Sequence, residues 1–356
     1  MGQKNQKSSS LGNQLIANLA QGLAKPSTPV VTTMPAQPRI DSRYAILKNQ
    51  DVPDARWDVS GAFVYQNLLI RVHDFFAALG IRTLSCVHDA PLCMWNSGRV
   101  KMGLHAEQHA ITQALQIYNH RRIPVHLTLT NSLLTPECLA DPVGNILLRM
   151  LDDLNDGGEN GVIVCSELLA DHVRKNFPAL KLISSVVKVA HEDGKGKLDY
   201  YRRLEEKYDK IMVHPDDNFN IELLQKLENK NRYEILVNEP CIKDCQVRKL
   251  HYQVLSQLSL NMLNSALVYK ENEVRSRNDC GNAADLLFSQ DRRTLILSRN
   301  ELKQIYDLGF RNFKIQGRGM TSDHAMAHEI FRLMLNQDPS CDHLVTRMLQ
   351  RFHCGV

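Results

Sequence analysis

Two cysteines one helical turn apart are the residues of this 356-residue chain whose type and spacing point most directly to chemistry. Cys241 and Cys245 follow Asn238-Glu239-Pro240, where a predicted strand ends. Thiolates with three residues between them can face one centre, and soft sulfur ligands suit zinc and iron-sulfur clusters. By spacing alone, two unrelated loop cysteines fit equally well. The pair is therefore either two unrelated loop cysteines or two of the ligands of a metal site.

A complete cluster site needs further ligands from other loops. The chain contains 9 cysteines, and clustered cysteines in a reducing compartment indicate metal or redox chemistry. Cys280 lies in a polar Asn-Asp-Cys-Gly segment that could fold over the same rim, so we expect it to join the pair. The candidates for the fourth ligand, of which we select the first, are Cys93, Cys86, Cys341 and Cys354.

Three further residues are candidates for catalysis at the ends of predicted strands. His214 and Asp216 suit a general acid and base or a substrate contact, and a structural loop role fits about as well. Arg318 suits an anionic group such as phosphate or carboxylate, and it could equally cap a helix or pair with a buried glutamate. Ser184 and Cys165 leave a nucleophilic triad open, although no GxSxG elbow supports one.

The elements that must position these residues alternate between short apolar runs and helical periodicity. Parallel strands joined by right-handed crossovers produce this pattern, and eight such units are what a closed β/α barrel of the TIM type requires. An open doubly wound sheet is the alternative, but no GxGxxG or Walker-type loop follows the first strand. The eight predicted strands are Ile81–Cys86, Val125–Thr130, Val162–Cys165, Leu182–Ser184, Lys210–Val213, Glu234–Val237, Thr294–Leu297 and Asn312–Ile315.

Chemistry in such a barrel sits at the C-terminal ends of the strands. We therefore expect Glu234–Val237 and Asn312–Ile315 to be parallel strands of one sheet. Cys241 and Arg318 should then emerge on the same rim of the barrel.

Composition sets the boundaries of this barrel and limits its partners. Residues 1–41 are rich in Ser, Gln, Asn, Thr and Pro, and this composition predicts a disordered tail. We expect residues 42–335 to form the barrel. We expect residues 336–356 to form a C-terminal helical extension. A net charge of +4 with scattered Lys and Arg permits a nucleic-acid partner without indicating one. No run approaches the roughly 20 apolar residues of a membrane span, and the first residues make a poor signal peptide. We expect a cytoplasmic protein with no membrane partner.

Two segments carry a resemblance to a known family. They are ILVNEPCIKDCQVRKLHY at residues 235–252 and LILSRNELKQIYDLGFRNFKIQGR at residues 295–318. Both resemble the collagenase-like peptidase superfamily, peptidase family U thirty-two, with Gln316 where the family often has Glu. The resemblance spans residues 125–320, whereas residues 42–124 match poorly and lack the family's usual cysteine-containing segments.

The resemblance implies two kinds of activity. Some relatives degrade collagen or peptides, whereas others hold a four-iron cluster on four cysteines and hydroxylate RNA or small aromatic substrates without oxygen. The pair Cys241 and Cys245 favours the second kind, because a hydrolase has no need of electron transfer. We therefore expect an iron-sulfur (4Fe-4S) enzyme with an RNA or small-molecule substrate. A peptidase, or a non-catalytic binding partner of other proteins in a larger complex, are the alternatives.

Overall fold

A computed structural model of the chain describes residues 46–97, 108–155, 157–261, 294–317, 322–336 and 338–354, together with residues 270, 273, 274 and 320. The predicted tail at residues 1–41 lies outside the described residues. The prediction of a tail therefore rests on composition alone.

Eight parallel strands close into a barrel, and their order around the ring is their order in the chain. The ring closes because the first strand pairs with both the second and the last. The predicted closed β/α barrel of the TIM type is thus confirmed, and so is the parallel pairing of its last two strands. The strands are β1 (Arg56–Ser60), β2 (Leu84–Asp89), β3 (Val125–Leu129), β4 (Gly161–Val164), β5 (Lys181–Ser184), β6 (Lys210–Met212), β7 (Tyr233–Leu236) and β10 (Asn312–Ile315).

Two details of the predicted barrel are wrong. The first barrel strand is β1, which the prediction missed, because Asp58 interrupts the apolar run between Trp57 and Val59. The predicted strand Thr294–Leu297 lies outside the ring, where β9 (Thr294–Ile296) pairs antiparallel with β8 (Asn238–Ile242). A short buried apolar run has the same pattern in a barrel and in a separate two-stranded sheet, and only pairing distinguishes them.

Helices follow the barrel strands and cover the outside of the ring. Several begin directly after a strand at a serine, whose hydroxyl accepts from a backbone N–H of the first turn, as Ser166 and Ser185 do. The helices are α1 (Gln66–Ala78), α2 (Gln108–His120), α3 (Pro142–Asp153), α4 (Glu167–Asn176), α5 (Val186–His191), α6 (Leu198–Glu205), α7 (Ile221–Lys226), α8 (Arg248–Leu260), α9 (Arg299–Asp307), α10 (Asp323–Met334) and α11 (Asp342–Cys354).

Side chains alternate between the helix layer and the lumen of the barrel, as they must in a strand. The outward positions, such as Trp57 and Leu127, belong to the main apolar core under the helices. The inward positions divide the lumen into two halves. The apolar half contains Ile163, Ile183, Met212 and Leu236, which pack with Tyr252 and Leu255 of α8. The polar half contains Asp58, Cys86, His88, His126, Lys210, Glu234 and Lys314.

The C-terminal helix lies against the barrel's last helix. Helices α10 and α11 pack together, and Cys341 between them is fully buried. An isolated bridge from Lys48 to Leu335 ties the start of the described chain to the end of α10. Within the described part of the chain, none of the helices combines the length and apolar character needed to cross a membrane.

Candidate active site

An open cavity of about 1120 Å³ lies at the C-terminal ends of the barrel strands, and we refer to it as the mouth cavity. All eight barrel strands, or the residues just after them, contribute to its lining. One wall is apolar and includes Ile163, Val186, Met212 and Leu236, whereas His88, Thr128 and Lys314 supply polar groups. An apolar pocket with a few convergent polar groups, at the catalytic face of a barrel, is the usual form of a small-molecule site.

His88, which lines this cavity, makes a short polar contact with Asp58, which does not line it. His88 Nδ1 lies 2.5 Å from Asp58 Oδ1, and both side chains are buried. Burial alone would raise the pKa of Asp58, but His88 and Lys314 hold it well below its ordinary value. Burial lowers the pKa of His88 despite the attraction of Asp58. At neutral pH the pair is thus a carboxylate and a neutral imidazole that donates from Nδ1, with Nε2 available to accept a proton.

Two lysines and two carboxylates balance the charge of the polar half of the lumen. Lys314 Nζ lies 3.5 Å from Asp58 Oδ2 and 3.8 Å from Glu234 Oε2. Lys210 Nζ lies 3.1 Å from Glu234 Oε1. Each of the four groups thus lies beside a group of opposite charge, which is what buried charges require.

Asp58 also belongs to a group of three side chains that could hold a metal ion. One ligand atom each of Asp58, Cys86 and His126 lies within 4.8 Å of the other two, and it is the one such group in the described part of the chain. The donor types suit zinc. Burial raises the pKa of the Cys86 thiol, however, and Lys314 already contacts the Asp58 oxygen nearest His126. A bound dication would therefore have to displace the ammonium and deprotonate the thiol.

The predicted cysteine pair does come together. The thiols of Cys241, in β8, and Cys245, in the turn that follows, are hydrogen-bonded, and both residues are half-buried. The hydrogen bond from Cys241 lowers the pKa of Cys245 to about 6. The two thiols thus lie together next to the start of α8, outside the mouth cavity.

A buried arginine stands beside this pair. Arg248 is 5% exposed, donates from Nη2 to the Ile242 carbonyl at 2.8 Å and lies 3.5 Å from Asp216 Oδ2. Its Nε and Nη1 atoms are buried and have no hydrogen-bond partner among the described residues. The hydrogen bond between the two thiols raises the pKa of Cys241 and lowers that of Cys245. The positive charge of Arg248 has a smaller effect, which favours the thiolate of both residues. Orphaned donors of this kind fit an absent acceptor such as a metal-bound sulfur.

The remaining predicted ligands do not extend the pair within the described residues. Cys93 is buried near Trp95, burial raises the pKa of its thiol to about 12, and it shares no group of three donors with the pair. Cys280 lies outside the described residues. Among the alternatives, Cys86 lies in the lumen, Cys341 donates to the Ile46 carbonyl at 3.5 Å, and only the backbone of Cys354 is described.

Two of the predicted catalytic residues, His214 and Asp216, lie near Arg248. His214 Nδ1 accepts from the Asp216 backbone N–H at 3.3 Å and so begins the turn Pro215–Phe219. Burial, with help from Arg248, lowers the pKa of His214 to about 3. Neither His214 nor Asp216 lines the mouth cavity, and Arg318 lies outside the described residues. Their catalytic role stays a prediction.

Sequence reasoning missed Asp58, His126 and Lys314 as site residues. The signal that could have found them is their spacing, because Asp58 with Ser60, and Cys86 with His88, are alternate residues that face the lumen in neighbouring strands. Polar residues at alternate positions of otherwise apolar barrel strands mark a polar lumen.

The fold and the mouth cavity together define a β/α-barrel protein with a ligand-sized cavity at the C-terminal ends of its strands. Among solved structures, that of the U32 peptidase Mk0906 resembles this chain with 14% sequence identity and a TM-score of 0.48, over 83% of this chain and 97% of that one. No protein-family model and no curated protein matches the chain.

Proposed function

We propose that this chain is an enzyme that transfers protons on a small molecule bound in the mouth cavity. The observation that carries the proposal is the 2.5 Å contact between His88 Nδ1 and Asp58 Oδ1, because it leaves Nε2 of a cavity-lining imidazole free to act as a base. The same arrangement, with a carboxylate that fixes the tautomer and stabilises the imidazolium, activates histidine bases in many enzymes.

The neighbouring groups support this assignment. Asp58 stays ionised through its contacts with His88 and Lys314, so it can stabilise the positive charge that His88 gains on accepting a proton. The ammonium of Lys314 lines the same cavity and can stabilise negative charge that develops on the substrate. The size of the cavity and its apolar wall favour a small molecule over RNA. We further propose a cytoplasmic location.

Hydrogen exchange tests this function even while the substrate is unidentified. A cellular metabolite extract is incubated in D2O with the full chain, and deuterium incorporation is followed by mass spectrometry. The wild type should label at least one metabolite, and His88→Gln should lose about 10²-fold or more of the rate, since general bases contribute about that much. His191→Gln, a half-buried histidine outside the mouth cavity, serves as the control. Equal labelling by His88→Gln would refute the proposal.

The thiol pair favours a second candidate function, in which the chain is an iron-sulfur-dependent modifying enzyme. Cys241 and Cys245 would hold the cluster with Cys280 and a fourth cysteine, for which Cys93 remains the predicted choice. The cluster would supply one-electron transfer, as in the oxygen-independent hydroxylation that the motif resemblance implies. The orphaned N–H groups of Arg248 support this candidate, since they could donate to its sulfur atoms.

Iron and sulfide analysis of anaerobically purified protein tests this second candidate. The wild type should be brown and should contain iron and sulfide, and Cys241→Ala or Cys245→Ala should lose both. Cys138→Ala is the matched control, because the thiol of this half-buried cysteine contacts the Thr135 hydroxyl in a surface turn. Colourless wild-type protein after reconstitution would eliminate the cluster.

The peptidase alternative has weaker support. The hydroxyl of Ser184 is buried and has no hydrogen-bond partner among the described residues, so no base activates it there. Ser185 caps α5 instead of facing a histidine. Peptide cleavage that is lost in Ser184→Ala or Cys165→Ala would revive this alternative.

A further inference from the structure

We infer that the mouth cavity binds a carbonyl compound that has an apolar, ring-sized body and carries at most one negative charge. The inference names a substrate class for the proton-transfer function proposed above, and it rests on that function for its reaction. Three features support it: polar groups with unused bonding capacity, the charge balance of the lumen, and the apolar wall.

The first feature is the unused hydrogen-bonding capacity of two cavity-lining side chains. The ammonium of Lys314 can donate three hydrogen bonds, yet in the described part of the chain it makes one, the long 3.5 Å contact to Asp58. The buried hydroxyl of Thr128 has no hydrogen-bond partner there. Buried polar groups are nearly always paired, so acceptor atoms on a bound ligand would complete both.

The Asp58 carboxylate sets the base and the ammonium side by side. Its Oδ1 atom binds His88 Nδ1 at 2.5 Å, and its Oδ2 atom binds Lys314 Nζ at 3.5 Å. Because Lys314 and His88 both line the cavity, a ligand whose oxygen lies at Lys314 can present the neighbouring carbon to His88. This is the arrangement that removal of a proton next to a carbonyl group requires.

The reaction follows from this placement. The proton of the carbon next to the carbonyl passes to His88 Nε2, and the electron pair of the broken C–H bond moves onto the carbonyl oxygen. The ammonium of Lys314 stabilises the negative charge on that oxygen. Return of the proton from His88 to the same carbon, or to a neighbouring one in a conjugated system, completes an exchange or an isomerisation that needs no oxidant.

The charge balance limits the charge of the ligand. Lys210 and Lys314 are matched by Asp58 and Glu234, so the polar half of the lumen has no surplus positive charge. A dianion at Lys314 would be repelled by the two carboxylates within 3.8 Å of the same ammonium. A neutral carbonyl or a single carboxylate avoids most of this repulsion.

The apolar wall indicates the rest of the molecule. Ile163, Val186, Met212 and Leu236 face the cavity from β4, α5, β6 and β7. Covering these side chains with an apolar ring removes hydrocarbon surface from water, which favours binding in proportion to the area covered. A ligand that is polar throughout would lose this contribution.

Three probes that share a phenyl ring test the inference by calorimetry on the full chain. Phenylacetone carries a neutral ketone, phenylacetate one negative charge and phenyl phosphate up to two. We expect the first two to bind, and phenyl phosphate to bind at least about tenfold more weakly, because its second negative charge is repelled by the carboxylates of Asp58 and Glu234. Tight binding of phenyl phosphate, or no binding of the other two, would overturn the inference.

Two variants locate the binding site. Lys314→Met should weaken phenylacetone and phenylacetate at least about tenfold. Thr128→Val, which keeps the side-chain shape and should fold in any case, should weaken at least one of them by a smaller factor. Thr135→Val, in the surface turn beside Cys138, should change nothing. Unchanged affinity in both cavity variants would contradict the assignment.

Deuterium exchange separates this inference from the function on which it rests. Wild-type protein that binds phenylacetone and exchanges its α-hydrogens in D2O supports both. Binding without exchange would refute proton transfer and would still support the ligand class. Exchange of another metabolite without binding of phenylacetone or phenylacetate would refute the ligand class alone.

Discussion

At the scale of single residues, the lumen shows how a barrel accommodates charge in its centre. The side chain of Asp58 is buried, and its two carboxylate oxygens contact His88 and Lys314, one each. A buried charge whose partner is removed is strongly destabilising, whereas replacing both partners can be nearly neutral. The stability of the folded chain should therefore depend on the balance between these groups more than on any one of them.

A double-mutant cycle on Asp58 and Lys314 tests this dependence. Each of Asp58→Asn and Lys314→Met should lower the free energy of unfolding by about 3–5 kcal/mol, because each removes one member of a buried, charge-balanced group. The double variant should lose less than the sum of the two. Urea denaturation at pH 7 measures all four proteins, and strictly additive losses would show that the two groups act independently.

The low pKa of Asp58 in the folded state predicts that the protein loses stability as the pH falls. Because the pKa of Asp58 is depressed in the folded state, its contribution is complete above its unfolded pKa, about 3.9. It is lost as the pH falls through the lower folded value. As the pH falls from about 5 to below the unfolded pKa of about 3.9, the free energy of unfolding should therefore decrease more in the wild type than in Asp58→Asn. Urea denaturation measures this free energy. A parallel decline in both proteins would argue against the depressed pKa.

At the scale of elements, α8 joins the mouth cavity to the thiol pair. It begins at Arg248 beside the two thiols, and its Tyr252 and Leu255 pack on the apolar half of the lumen. Ser256 holds it against the loop after β3, since its hydroxyl accepts from the Ser132 backbone N–H at 3.1 Å. The position of one helix thus affects the wall of the cavity.

Removal of this hydroxyl should loosen the helix. Ser256→Ala leaves the Ser132 N–H without its partner and should lower the free energy of unfolding by about 1–3 kcal/mol. Amide hydrogen exchange should accelerate within α8. Ser259, on the same helix, makes no side-chain hydrogen bond within the described chain, so Ser259→Ala is the matched control and should have a smaller effect. Equal effects of the two variants would show that the bond does not anchor α8.

The same elements show what the sequence could reveal. Seven of the eight predicted strands coincide with barrel strands, because buried parallel strands are apolar runs between helices. The cysteine pair was found because its spacing is local. Asp58 and Lys314 were not found, because they are far apart in the chain and only strand pairing brings them together. Alternation of polar and apolar residues in each strand can indicate a polar lumen, but it does not indicate which polar side chains contact each other.

At the scale of the whole molecule, the barrel is expected to fold without the first residues of the chain. The composition of residues 1–41 predicts that they bury little apolar surface. A protein that begins at residue 42 should therefore have nearly the same thermal midpoint as the full chain, within about 2 °C of it. Differential scanning calorimetry of both proteins measures this, and a large fall would mean that the removed residues stabilise the barrel.

The position of β10 in the chain has a consequence for synthesis on the ribosome. Strand β10 fills the gap between β1 and β7, but residues 237–311, which include β8 and β9, are translated between β7 and β10. Until β10 leaves the exit tunnel, the nascent sheet has two free edges whose backbone groups can pair with other chains. At about 5–20 residues per second this interval lasts several seconds. A nascent chain stalled before residue 312 should therefore bind chaperones and aggregate, whereas one stalled well beyond residue 335 should do neither.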